Sequence, residues 1–176
     1  PEQVGAFTPE AIQGFEPEQL FELDPAAFEG FSKEQVGAFK PEAIQGFESD
    51  QLASLQPAVF KGFSSNQISA FKPEAFSSFT SQIIKKVKPS AMPGLLAEQV
   101  TSIADELFGA LKPKQLGKMT AEAFGGVDAG QFNALAKKQL KKGGRKCVRV
   151  RNRCQSTCFC EAALDTRSGT CADQCY

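Results

Sequence analysis

Six cysteines carry the most reactive chemistry in this chain, and all of them lie near its end: Cys147, Cys154, Cys158, Cys160, Cys171 and Cys175, with none in residues 1–144. An even number of thiols in a stretch too short to bury a core reads as a disulfide framework. Three bridges allow fifteen pairings, and spacing does not choose among them. A soft-metal site is the lesser alternative. Only Cys158-Phe159-Cys160 has a tight ligand-like spacing, there is no C-x-x-C pair, and the chain has no histidine. No metal or cofactor is expected. Disulfides persist in oxidising compartments, so a secreted or cell-surface protein is expected.

Composition narrows the chemistry further. The absence of His removes the commonest general base and every Ser-His-Asp or Cys-His constellation. Glu is abundant but recurs at one place of a repeat, whereas a catalytic carboxylate pair needs two unlike environments. No P-loop or dinucleotide fingerprint occurs. An enzyme is not expected, and no apolar run reaches the ~20 residues needed to span a bilayer.

Charge is segregated. Residues 1–80 hold twelve acids against Lys33, Lys40, Lys61 and Lys72, a balance of −8, whereas residues 81–176 carry +8 and the whole chain is neutral. The densest basic stretch holds Lys137, Lys138, Lys141, Lys142, Arg145, Lys146, Arg149, Arg151 and Arg153. Solvation of a repetitive surface, head-to-tail association and polyanion binding each account for such a pattern. Nucleic acid is not the expected polyanion, because few aromatics stand near these bases to stack on nucleobases; a polysaccharide remains open.

The elements that position these groups follow from one feature. Residues 1–144 divide into eighteen octads without insertion or deletion. Place four is apolar in all eighteen, from Val4 and Ile12 to Leu140, and place seven in seventeen, broken only by Gly143. These places are three apart and share one helical face. Nine of the ten prolines stand at place one, where proline suits the first helical position and forbids a longer helix. Thr8, Asp24, Ser32 and Ser64 precede the helices as cap-type residues, Glu follows at place two, and Gln at place three completes a capping box. Each octad therefore reads as about two turns of helix and a corner.

An isolated octad cannot fold. Two buried side chains contribute roughly 2–3 kcal/mol each, against an ordering cost on the order of 12 kcal/mol. Copies must stack and share a core. Gln at place three of odd octads alternates with Ala at place three of even ones, and Gly14, Gly30, Gly46, Gly62, Gly94 and Gly126 fill place six of even octads. This alternation points to a sixteen-residue unit: an all-α solenoid of two-helix coils over 1–144, nine coils and roughly 70–90 Å long at ~8–10 Å per layer. Residues 145–176 form a small disulfide-rich cap. Pro93 and the weak repeats at 81–96 read either as ordinary decay of the repeat or as a kink or seam in the rod. Pro1 is already in octad phase, so the sequence reads as a processed form or a piece of a longer chain.

The octad, as in TPEAIQGF (8–15) and SKEQVGAF (32–39), resembles tandem octapeptide stretches of large secreted or cell-surface microbial proteins. The resemblance implies a short-helix solenoid in an extracellular structural or adhesive protein, with no catalytic residues. The cysteine spacing departs from the EGF pattern. The expected function is a subunit of a filament, sheath or appendage that binds itself end to end. A head formed by Val4, Phe7, Glu2, Glu10, Glu16 and Glu18 would meet the basic tail, Lys137 to Arg153, of the next copy. A monomeric solenoid that binds a glycan or protein is the alternative.

Overall fold

The computed structural model describes residues 2–135 and two dipeptide strands beyond them. Between 2 and 135 every regular element is a short helix, α or 3₁₀, and each octad supplies one. The helices run four to six residues, apart from the three of Met92–Gly94. That is a little over one turn, less than the two turns expected. The helix closes early because the place-seven N–H bonds the place-four carbonyl, as in Phe15→Ile12, Phe47→Ile44 and Val127→Phe124. Place eight is then extended, with Thr8 at φ −73° and ψ 156° and Ser64 at φ −88° and ψ 171°. Proline or a polar cap restarts the helix. The strands Val148–Arg149 and Cys158–Phe159 pair antiparallel, with Val148 opposite Phe159.

The stack repeats every third octad. Contacts link Pro9–Ile12 to Lys33–Ala38, Lys33–Ala38 to Pro57–Lys61, Pro57–Lys61 to Ser81–Ile84, Ser81–Ile84 to Asp105–Gly109, and Asp105–Gly109 to Ala129–Ala134. A second column starts at Pro17–Phe21 and a third at Glu2–Gly5. The ion pair Lys72–Glu48, at 3.2 Å, joins place eight of one octad to place eight of the octad stacked on it. The solenoid of short helices is as expected; the sixteen-residue coil is not. A two-helix coil would have to reverse the chain at each corner. One extended residue turns it by only about a third of a revolution, so three corners close a coil. The seventeen described octads then fill five coils and two sides of a sixth, and at ~8–10 Å per layer this part of the stack is roughly 45–60 Å long.

The core lies along the axis of this triangular stack. Places four and seven point inward from all three sides, and Phe28, Phe47, Phe60, Phe63, Phe76 and Phe108 are fully buried. Place-seven rings climb the axis edge to face: Phe7–Phe15 at 5.6 Å, Phe15–Phe39 at 6.0 Å, Phe39–Phe47 at 5.5 Å and Phe47–Phe71 at 5.8 Å. Such geometry aligns the positive ring edge with a negative ring face. Above Phe79 the same places carry Val87, Leu95, Ile103, Leu111, Met119 and Val127, all buried.

The stack passes through 81–96 without a break, so the weak repeats there are decay of the pattern rather than a seam. Ile83, Ile84, Val87, Ala91, Met92 and Leu95 are buried there and continue the core. Pro93 does shorten its helix, whose cap is Ala91 rather than the residue before place one.

Candidate assembly interface

The joints between coils show what one coil needs from the next. At an odd octad the place-three Gln sits at a corner. Its Oε1 accepts the N–H of the residue that opens the helix, as in Ser32 N→Gln35 at 2.8 Å and Leu96 N→Gln99 at 3.0 Å. Its Nε2 donates downward, four octads back, to the place-four and place-seven carbonyls. Gln67 reaches Val36 and Phe39 at 2.8 and 2.7 Å, Gln99 reaches Ile68 and Phe71 at 2.9 and 2.8 Å, and Gln131 reaches Val100 and Ile103 at 2.7 and 2.6 Å. Gln35, Gln51, Gln67, Gln99, Gln115 and Gln131 are all buried. One acceptor and two donors are thus satisfied at each, as burial of an amide requires. Ser32, Ser64 and Asp128 complete the capping boxes by accepting the N–H of Gln35, Gln67 and Gln131.

Even octads use a second device. A Cβ on Gly46, Gly62, Gly94 or Gly126 would lie 2.1, 2.1, 1.9 or 2.1 Å from the carbonyl oxygen of Pro17, Lys33, Ser65 or Ala97, each at place one of the octad beneath. Glycine at place six therefore lets an even octad settle directly on the odd octad beneath it.

Both devices recur in the first coil with nothing described beneath them. Gln19 uses its Oε1 for the Glu16 N–H at 3.0 Å, but its exposed Nε2 has no partner among the described residues. A Cβ on Gly14 would meet only Ala11 of its own helix, at 3.3 Å. Beside them Phe21 is 54% and Phe7 42% exposed, and Phe15 and Leu23 are half-buried.

Of the head residues read from sequence, Glu10, Glu16 and Glu18 are exposed on this coil with Phe7, whereas Val4 is buried under the second coil. The side chain of Glu2 lies outside the described residues. So do the basic tail from Lys137 to Arg153 and the side chains of all six cysteines; Arg149 and Cys158 are placed only as backbone of the two strands. Among the described residues no group of three or more acidic side chains could hold a metal ion, and no helix is long and apolar enough to cross a membrane.

Sequence reasoning did not single out Gln19 and Gly14 as interface residues. Place-three Gln reads as a cap because its second role, the bond to the coil beneath, depends on the number of octads per coil. No family model matches this chain, and no curated protein matches it in sequence.

Proposed function

We propose that this protein is an extracellular structural subunit whose octad stack joins end to end with further octad coils, supplied by a second copy of the chain. The observation that carries this is the first coil: it presents the donor of Gln19, the bare backbone at Gly14 and the ring of Phe7, at a place buried in the coils above, in the pattern that, elsewhere in the stack, receives a coil from beneath. The order of octads supports the same reading. Every octad rests on one of the opposite kind, and the sequence at 121–128 (Ala123, Gly126) and 129–136 (Gln131) is opposite in kind to octads 1 and 2, with Gln3 and Ala11. A second copy stacked in column register continues the alternation. Its basic end would approach the acidic surface of Glu10, Glu16 and Glu18, and complementary charge would set orientation and encounter rate. Such a contact is heterologous and grows into an open filament unless its rotation closes. An oxidised six-cysteine module and an extracellular location belong to the same proposal.

Sedimentation velocity against concentration tests it. The parent chain is expected to associate reversibly, more strongly at low salt, and Gln19→Glu, which keeps the cap acceptor and removes the donor, and Gly14→Ala are expected to abolish association while the monomer keeps its melting temperature. A parent chain that stays monomeric at high concentration and low salt overturns the proposal and leaves this face to octads that continue the same chain.

A further inference from the structure

An open groove of about 680 Å³ lies along the corner between the first and second columns, above the first coil. Six lysines line it: Lys61, Lys85, Lys86, Lys88, Lys112 and Lys114. No carboxylate is among its lining residues. The two ion pairs among the described residues, Lys33–Glu34 and Lys72–Glu48, use none of these lysines. Six like charges in one concavity with no counter-charge raise the local potential and concentrate anions.

Their arrangement follows from the three-octad coil. Lys61 and Lys85 occupy place five of stacked octads, and Lys88 and Lys112 place eight of stacked octads. Each pair is therefore about one layer apart, ~8–10 Å along the axis. Between them the groove is lined by Val87, Pro89 and Pro113, which offer an apolar strip without side-chain hydrogen-bond donors.

We infer that this groove is a binding site for a linear acidic polysaccharide lying along the stack. Rows of cations one layer apart suit an anionic polymer whose charged groups are widely and regularly spaced. A nucleic-acid strand carries a phosphate about every 3.4 Å and is held in non-specific grooves by base stacking on aromatic side chains. The groove has no aromatic residue among its lining, and pyranose rings can lie against the flat prolines instead. The inference does not depend on end-to-end assembly, since the groove and the first coil share no residue.

The test is titration of the full chain with a heparin dodecasaccharide, with a single-stranded oligothymidylate of similar charge as the comparison. The triple variant Lys85→Gln/Lys88→Gln/Lys112→Gln changes only exposed side chains. It is expected to keep the parent melting temperature, to bind heparin at least tenfold more weakly, and to show a shallower dependence of log affinity on log salt. A tail variant with Lys137, Lys138, Lys141 and Lys142 changed to Gln is expected to keep most of the affinity. Binding lost in the tail variant but unchanged in the groove variant overturns the site. Oligothymidylate bound as tightly as heparin at equal salt overturns the ligand class.

Discussion

The buried glutamines give the sharpest test of how this stack is held together, because the chain contains its own control. At Gln99 the amide joins the Leu96 N–H to the Ile68 and Phe71 carbonyls, with a longer contact of 3.4 Å to the Ser69 carbonyl. Changing Gln99 to Leu puts an apolar side chain of similar size in the same space and removes all of these bonds. The Ile68 carbonyl keeps the Phe71 N–H at 3.4 Å, but the Leu96 N–H and the Phe71 carbonyl lose the partners found for them. Each orphaned group costs about 1–3 kcal/mol, and burying a leucyl side chain offsets about 1.5–3 kcal/mol. The net expectation is a loss of about 2 kcal/mol. Octad 11 holds the mirror experiment. Ile83 stands where Gln would, and the corresponding groups are the Thr80 N–H and the carbonyls of Leu52 and Leu55, of which Leu52 keeps the Leu55 N–H at 3.3 Å. Ile83→Gln is expected to stabilise the stack by about the same ~2 kcal/mol as it satisfies the other two groups. Urea titration followed by far-ultraviolet circular dichroism measures both. Residue-level hydrogen exchange adds the local view that a repeat protein needs, since its coils can open separately. Loss of protection at Phe71 and its neighbours is expected in the first variant. If Gln99→Leu is neutral while Ile83→Gln destabilises by the ~1–3 kcal/mol of an unpartnered buried amide, the joints are not hydrogen-bonded as described.

Glycine packing and the ring ladder give two further predictions. Gly94→Ala forces a Cβ to 1.9 Å from the Ser65 carbonyl and is expected to cost about 2–3 kcal/mol; a melting temperature equal to the parent's would show that the coils do not touch there. Phe47 contacts the rings of Phe28, Phe39, Phe63 and Phe71, so Phe47→Ala is expected to cost about 3–5 kcal/mol. Phe21→Ala, on an exposed ring, should move monomer stability by less than about 0.5 kcal/mol. Equal effects at the two positions in chemical denaturation would contradict the burial pattern.

What could be read from sequence was whatever lies within one octad. Proline at place one, the caps at Ser32 and Ser64 and the inward face of places four and seven are all local, and all hold in the structure. The number of octads per coil is not local. It depends on the angle through which one extended residue turns the chain, and no side-chain pattern encodes that angle directly. The alternation of Gln and Ala therefore suggests a two-octad coil, although it reports only which kind of octad rests on which. The pairs that do report the coil, Glu48 with Lys72 and Lys61 with Lys85, are single occurrences three octads apart and stand out only once the turn is known. Phe21 occupies place five, which has no inward direction, and its ring is exposed.

Three is odd, and that explains why a two-octad alternation exists at all. In each column an octad rests on one of the opposite kind, so Gln donors and Gly contacts take turns up every side. The levels then carry different numbers of Gln corners: two in octads 7 to 9 (Gln51, Gln67), two again in octads 13 to 15 (Gln99, Gln115), and one each in octads 4 to 6 and at Gln131. The level between, octads 10 to 12, has room for one, and Ile83 takes it. That coil thus rests on the one below by apolar packing and glycine contact alone. It is also the coil where lysines stand at Lys85 and Lys86, where Pro93 shortens a helix, and across which the cationic groove runs from Lys61 on the coil below to Lys112 and Lys114 on the coil above. A joint that gives up its buried amide tolerates a crowded, self-repelling surface less well than its neighbours do.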